Sequence, residues 1–230
     1  MQLFLLPFAG GSAASFKNVV ELLDERIDVI TVEYPGRGTR SSEAFIEDFE
    51  SLKDDVVDCI QNRRNENLPF AVLGYSMGSI MAYEIVADER IKGELKHIFL
   101  CAENSPMDKR DSHLNQNATD EVVISRLKEL GGINERLLHN KRFFDIYMRP
   151  SIVDFKMFKQ HECAVRDTKL ACSATVIYSE ADTPFDTVKR WAELVDEKTD
   201  FYEMGYNHFF INQYYTRIAE IINNQLKRYL

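Results

Sequence analysis

Hydrophobic and polar positions divide this chain into short apolar runs separated by amphipathic stretches. Six runs are rich in β-branched and aromatic residues: Leu3–Leu6, Val29–Glu33, Phe70–Gly74, Ile98–Ala102, Thr175–Tyr178 and Asp200–Met204. Most are continuously apolar rather than alternating, the mark of strands buried on both faces of a parallel sheet. Between them the period changes. From Ser42 to about Arg64, residues Phe45, Phe49, Leu52, Val56 and Ile60 recur close to every 3.6 positions and predict a helix. Met77–Ala87, Asp186–Val195 and Gln213–Leu230 predict three more. Strand and helix alternate, so the expected class is α/β: a mainly parallel sheet with helices on both faces and right-handed crossovers.

One segment breaks the alternation. No strand is evident between Ala102 and Ala171, a stretch too long for a plain loop. It reads as helices: Asp120–Leu130 closed by Gly131-Gly132, another from Asn134, and a third opened by Ser151 after Pro150. A helical insertion between two strands, about residues 104–165, suits a lid; a pair of ordinary surface helices is the plainer reading. The chain as a whole, 1–230, is expected to be a single domain, because α/β domains often reach this size.

The pentapeptide Gly74-Tyr75-Ser76-Met77-Gly78 follows one of the strand-like runs and opens a helix-like one. In that setting G-x-S-x-G predicts a nucleophile elbow, with the Ser76 hydroxyl lifted off the sheet at the positive end of a helix. Such a serine needs a base, and the base needs an acid to orient it. The α/β-hydrolase order is Ser, then Asp or Glu, then His. Of His97, His113, His139, His161 and His208, only His208 follows the last strand-like run. Asp182 sits in the loop after Thr175–Tyr178 and is the favoured acid, with Glu180, Asp186 and Glu103 as rivals. Asp186 also suits a helix cap. The oxyanion donors are expected to be the Met77 N–H and an N–H from the Gly-rich loop Pro7–Ser12, Ala9 ahead of Phe8. That loop lacks the lysine of a Walker A loop and the G-x-G-x-x-G spacing, which argues against nucleotide binding.

Composition narrows the partners. The net charge of −9 argues against nucleic acid, which calls for a basic stripe. The N-terminal MQLFLLPFAGG has no basic n-region, and its apolar run is too short for a signal peptide or membrane span. The four cysteines show no paired spacing, and no metal-ligand spacing is visible, so a cytoplasmic enzyme without disulfides, metal or cofactor is expected. The acidic surface suits a monomer. Charge is uneven, however: Asp108–Arg149 carries eight basic side chains against seven acidic ones. Arg136, Lys141, Arg142 and Arg149 cluster there with only Asp145 between them, either as a docking face or as a solvated helix face. Phe143, Phe144, Met148, Phe155, Met157 and Phe158 form a stripe that suits core packing better than an acyl channel.

Taken together, PFAGGSA, YPGRGTR (Tyr34–Arg40), GYSMG, SEADTPF and NHFFI occur in order and span nearly the whole chain. This set resembles the type II (editing) thioesterases that accompany non-ribosomal peptide and polyketide synthetases. The stretch MRPSIVDFKMFKQHE is similar to the segment that follows the lid in that family. The resemblance implies Ser76, Asp182 and His208 as triad, the Ala9 and Met77 N–H groups as oxyanion hole, and acyl or peptidyl carrier domains as partners. It also implies that the reaction is removal of misprimed or stalled acyl groups from the phosphopantetheine arm. The chain departs from the family pattern at Tyr75, where histidine is common, at Asn207, where glycine is common, and in starting almost at its first strand. A small-ester carboxylesterase or lipase shares the same triad, and a carrier-binding module without catalysis shares the fold; substrate preference and the effect of Ser76→Ala separate them.

Overall fold

Leu3 and Leu5 pack into one apolar cluster while Phe4 and Leu6 pack into another, on the opposite side of the same strand. This is why the first apolar run is continuous: both faces of the strand are core. The computed structural model describes residues 1–91, 93–108, 118–131, 138–205 and 207–230. Among the described residues six strands form one sheet: β1 Gln2–Leu6, β2 Asp28–Thr31, β3 Phe70–Tyr75, β4 Leu95–Cys101, β5 Ser173–Tyr178 and β6 Thr199–Glu203. Their order is β2-β1-β3-β4-β5-β6 and every pairing is parallel. All six expected runs became strands, no end shifted by more than about three residues.

Helices cover both faces. Val19 of α1 (Lys17–Val20) and the buried stripe of α8 (Ile211–Leu226), including Ile218 and Ile222, pack on one side. On the other lie α2 (Phe49–Arg63), α3 (Met77–Ile85) and Val188 of α7 (Phe185–Val188). Two sequence expectations need correction. Helix α2 starts at Phe49, not Ser42, because Asp48 caps it by accepting from Ser51 N–H at 2.8 Å. Phe45 instead lies against Gly36 and the Arg37 guanidinium, so tertiary packing accounts for its apolar position. The expected helix Asp186–Val195 is only the single turn α7 followed by 3₁₀ turns over Lys189–Leu194.

Between β4 and β5 the described residues hold no strand, only a bridge of Leu170 to Val195 just before β5. Helix α4 is Asp120–Glu129; α5 (Lys141–Phe143), a π-helical turn (Phe144–Met148) and α6 (Arg149–Gln160) follow as one helical run. The helix expected to open at Ser151 therefore passes through Pro150. Proline cannot donate to the carbonyl one α-turn back and crowds it, and the widened π turn just before Pro150 accommodates that defect. Ser151 Oγ donates to the Tyr147 carbonyl at 2.6 Å, satisfying a carbonyl near the irregularity. The start expected at Asn134 and the closing Gly132 lie outside the described residues. Val123, Leu127, Met148, Ile152 and Phe155 give this insertion a small core of its own. Met157 and Phe158 join the main core instead. Lys156 and Asp120 tie α6 to α4 at 2.6 Å.

Candidate active site

The elbow is built by close approach. A Cβ on Gly74 would sit 2.0 Å from the Gly78 carbonyl oxygen, and one on Gly78 would sit 2.2 Å from that of Leu6. Neither contact is possible for any residue with a side chain, so α3 can meet β3 and β1 this tightly only through glycine. Ser76 between them takes φ 52°, ψ −119°, a strained conformation for a non-glycine residue. Its N–H donates to Cys101 O at 2.7 Å, tying the elbow to β4. Ser79 Oγ adds a second tie, within 2.8 Å of Gly74 O and 2.9 Å of Cys101 O while accepting from Cys101 N–H at 3.0 Å.

At the top of the sheet three side chains from three loops converge. Ser76 Oγ lies 3.0 Å from His208 Nε2, and His208 Nδ1 lies 2.7 Å from Asp182 Oδ2. Ser76 and His208 are nearly buried, and Asp182 is a little more open. Two of the rival acids, Glu180 and Asp186, are engaged elsewhere. Glu180 Oε2 accepts from Phe185 N–H at 3.1 Å at the start of α7, so Glu180, not Asp186, caps that turn. Asp186 pairs with Lys189 at 2.7 Å. Glu103 lines the cavity wall after β4, its backbone carbonyl accepting from Trp191 Nε1 at 3.0 Å, but the carboxylate that meets His208 Nδ1 is that of Asp182.

The loop carrying His208 is held from beneath by Tyr75. Its ring is fully buried, its hydroxyl donates to His208 O at 2.7 Å, and the same oxygen accepts from Ile211 N–H at 3.3 Å. Burial pushes the Tyr75 phenol well above its usual pKa, so it remains a donor throughout the working range. Phe209 packs edge-on to Phe8 at 5.2 Å, and Phe210 is buried against Tyr75. Among the described residues, the Asn207 side-chain oxygen is buried without a partner.

Ser76, Asp182 and His208 open onto a cavity of about 120 Å³, walled by Phe8 and Ala9 from the first loop and Ala102 and Glu103 after β4. Leu127 and Leu130, on and just after α4, roof it together with Phe155 and Phe158 of α6. A larger cavity of about 470 Å³ adjoins it across Phe8, Ala9, Leu127 and Phe209, bounded by Arg37, Phe143, Tyr147 and Ser151. Ala102, like Ser76, has positive φ (54°), so strained backbone stands on two sides of the chamber.

One further cluster escaped the sequence. Glu84 on α3 and His161 and Cys163 after α6 bring ligand-type atoms within 4.8 Å of one another. His161 Nε2 lies 2.5 Å from Glu84 Oε1, a hydrogen-bond distance; a metal bound by both at about 2.0–2.2 Å would hold them farther apart. The group therefore acts as a hydrogen-bonded tie between the end of α6 and the elbow helix, with His161 stacked on Phe49. The separation of 77 positions between Glu84 and His161 hid it. The buried hydrogen bond from Arg37 Nη2 to Asp154 Oδ1, at 2.7 Å, escaped the sequence as well, because nothing local links residues 117 positions apart. His97 lies on β4 and His161 in the tie just described, and neither joins the Ser76–His208–Asp182 chain; His113 lies outside the described residues.

The sequence and fold have clear relatives. A thioesterase-domain family model matches residues 1–226. The gramicidin S biosynthesis protein GrsT of Aneurinibacillus migulanus is 26% identical over 99% of this chain and 89% of its own length. BorB, a type II thioesterase from the borrelidin biosynthetic cluster, superposes with TM-score 0.84 at 26% identity, covering 98% of this chain and 92% of BorB. ClbQ, from the colibactin NRPS/PKS pathway, shares the fold at TM-score 0.89 and 21% identity, over 99% of this chain and 97% of ClbQ. No helix of the described residues is long and apolar enough to cross a membrane. With a strained serine elbow at the top of a parallel sheet and this likeness over almost its full length, the chain belongs to the thioesterase family, as a thioester hydrolase of the type II, editing kind.

Proposed function

We propose that this chain frees acyl groups held as thioesters on the phosphopantetheine arm of acyl or peptidyl carrier domains. Ser76 Oγ attacks the thioester carbonyl carbon as His208 Nε2 takes its proton. The C–S bond breaks, and the thiol leaves with that proton. Water then attacks the acyl-serine through the same base and releases the carboxylic acid. Asp182 orients His208 and stabilises its charged form. The developing oxyanion is held by the N–H groups of Ala9, which lines the chamber, and Met77, the first residue of α3. The observation that carries this reading is the hydrogen-bonded chain Ser76–His208–Asp182 at the floor of a cavity. These steps use side chains, backbone and water alone.

The helical insertion, about 104–165 within a single domain over 1–230, serves as the lid, since α4 and α6 roof the chamber. The lid also offers a docking face. Lys141, Arg142 and Arg149 are exposed there, beside exposed Ile146 and Tyr147 at the edge of the larger cavity. Arg136, expected in the same cluster, lies outside the described residues. Carrier domains are acidic as a rule, and so is this chain, so a local basic patch is what permits encounter. The protein acts as a monomer in the cytoplasm on this reading.

The test is a panel of substrates: one carrier domain loaded with acetyl, aminoacyl and long acyl groups, the matching oxygen esters, and mass spectrometric readout of release. Faster release from carrier thioesters than from oxygen esters is expected. Comparable turnover of oxygen esters with no release from the carrier contradicts the proposal.

A further inference from the structure

The loop that carries Ala9 is gripped from two sides. Phe8 O accepts from Gly11 N–H at 2.7 Å, and Gly10 has φ +79°, the pattern of a type II turn with Ala9 and Gly10 at its centre. The Phe8–Ala9 peptide is trans, so with Phe8 O turned inward to Gly11 the Ala9 N–H points outward from the turn. The next N–H, that of Gly10, donates to Asp154 Oδ2 at 2.7 Å. Asp154 belongs to α6 and is 1% exposed. A Cβ on Gly10 would sit 2.7 Å from the Ser151 Cα, so the turn lies directly on the first turn of that helix.

Asp154 is held in place by Arg37, 6% exposed. Arg37 Nη2 donates to Asp154 Oδ1 at 2.7 Å and Nη1 donates to Oδ2, a two-pronged contact. Arg37 Nη1 also reaches Gly11 O at 3.4 Å. Burial works against the guanidinium charge, but the bonds to Asp154 outweigh it and hold the Arg37 pKa above its usual value. Two neighbours of Arg37 hold the ends of the loop: Tyr34 Oη donates to Pro7 O at 3.1 Å, and Glu33 Oε1 accepts from Ala13 N–H at 3.1 Å.

The geometry points to Asp154, backed by Arg37, as a positioning residue for the oxyanion hole: helix α6 of the insertion fixes the turn that presents the Ala9 N–H. Type I and type II turns differ by a flip of the central peptide. The Asp154 carboxylate accepts from the N–H of that peptide in one orientation only and faces a carbonyl in the other. A buried carboxylate meeting a carbonyl is strongly disfavoured, so the clamp selects a single turn. This inference rests on the proposed role of Ala9.

Its test compares two double variants. Arg37→Met/Asp154→Leu removes the buried pair together, a replacement that proteins often tolerate, and leaves no acceptor for Gly10. Arg37→Met/Asp154→Asn retains a neutral acceptor. With a small acyl-N-acetylcysteamine thioester, the leucine variant is expected to lose about 10²-fold in kcat with KM little changed, the scale of one lost oxyanion donor. Its affinity for an alkylboronic acid, which mimics the tetrahedral state on Ser76, falls in parallel. The asparagine variant stays within about tenfold of native, because an acceptor remains. A folded leucine variant with native kcat and native boronate affinity overturns the inference. Should neither variant fold, the Gly10 amide of the native protein decides: slow hydrogen exchange is expected, and exchange at the rate of an open loop amide overturns it. Ser76→Ala run alongside separates the two ideas. If it stays active, the proposed site itself is wrong; if it is inactive while the leucine variant is native, only the clamp fails.

Discussion

Tyr75 and His208 are joined by a 2.7 Å hydrogen bond from the tyrosine hydroxyl to the histidine's backbone carbonyl. Tyr75 stands one residue before Ser76, so the elbow itself anchors the loop that carries His208. The same hydroxyl accepts from Ile211 N–H, at the start of α8. Tyr75 thus braces the loop of the proposed base.

Tyr75→Phe keeps the buried ring and strips both bonds. Two buried backbone groups lose their partner, at a cost of about 1–3 kcal/mol each where water cannot reach them. The expected result is a lower urea midpoint and a kcat reduced about tenfold with KM nearly unchanged, from misplacement of the imidazole. Native kcat in a folded Tyr75→Phe protein would show that the brace is not needed.

Gly74→Ala tests the elbow's packing. The added methyl meets the Gly78 carbonyl at 2.0 Å, and both neighbours are backbone. A loss of more than about 3 kcal/mol is expected, in the range of the most severe single substitutions. Denaturant titration measures it, and a loss below 1 kcal/mol, on the scale of an ordinary surface change, contradicts the account.

Charge reversal tests docking. Lys141→Glu/Arg142→Glu/Arg149→Glu changes exposed groups on the insertion, outside the triad. KM for an acyl-carrier substrate should rise about tenfold or more and lose its salt dependence, while turnover of a small thioester stays native. Equal effects on both substrates, or none on either, would remove the docking face.

Acid stability is expected to depend on His97. Its Nε2 lies 2.8 Å from Thr175 Oγ1 in the core, and burial lowers its pKa from 6.5 to about 3. Between those values the unfolded chain takes up a proton that the folded protein refuses. Stability from this group is therefore full above pH 6.5 and falls as pH drops, by about 1.4 kcal/mol per unit. His97→Gln should flatten the stability curve between pH 6.5 and 4.5 by that slope. Parallel curves for the two proteins would exclude the effect.

Much of this arrangement was legible in the sequence. The strands were, because residues such as Leu3 to Leu6 are buried on both faces and leave an uninterrupted apolar run. The order of Ser76, Asp182 and His208 was, because strand ends fix where a loop residue can point. Helix α2 was overextended because Phe45 is apolar for a tertiary reason, its contact with Gly36 and Arg37. The capping role of Glu180 was invisible because its partner N–H lies across a turn whose shape the sequence does not state. Asp154 and Arg37 each sat in a recognised motif, yet their pairing exists only once α6 folds back over the first loop.

On the proposed function, Ser76 carries the hydrolysis. Its most direct measurement is the rate of acyl release from a loaded carrier domain by native protein and by Ser76→Ala, followed by intact mass. The expected result is a fall in kcat of about 10⁴–10⁶, the scale seen when a triad nucleophile is lost. Ser76→Ala protein that releases the acyl group within tenfold of the native rate would contradict it.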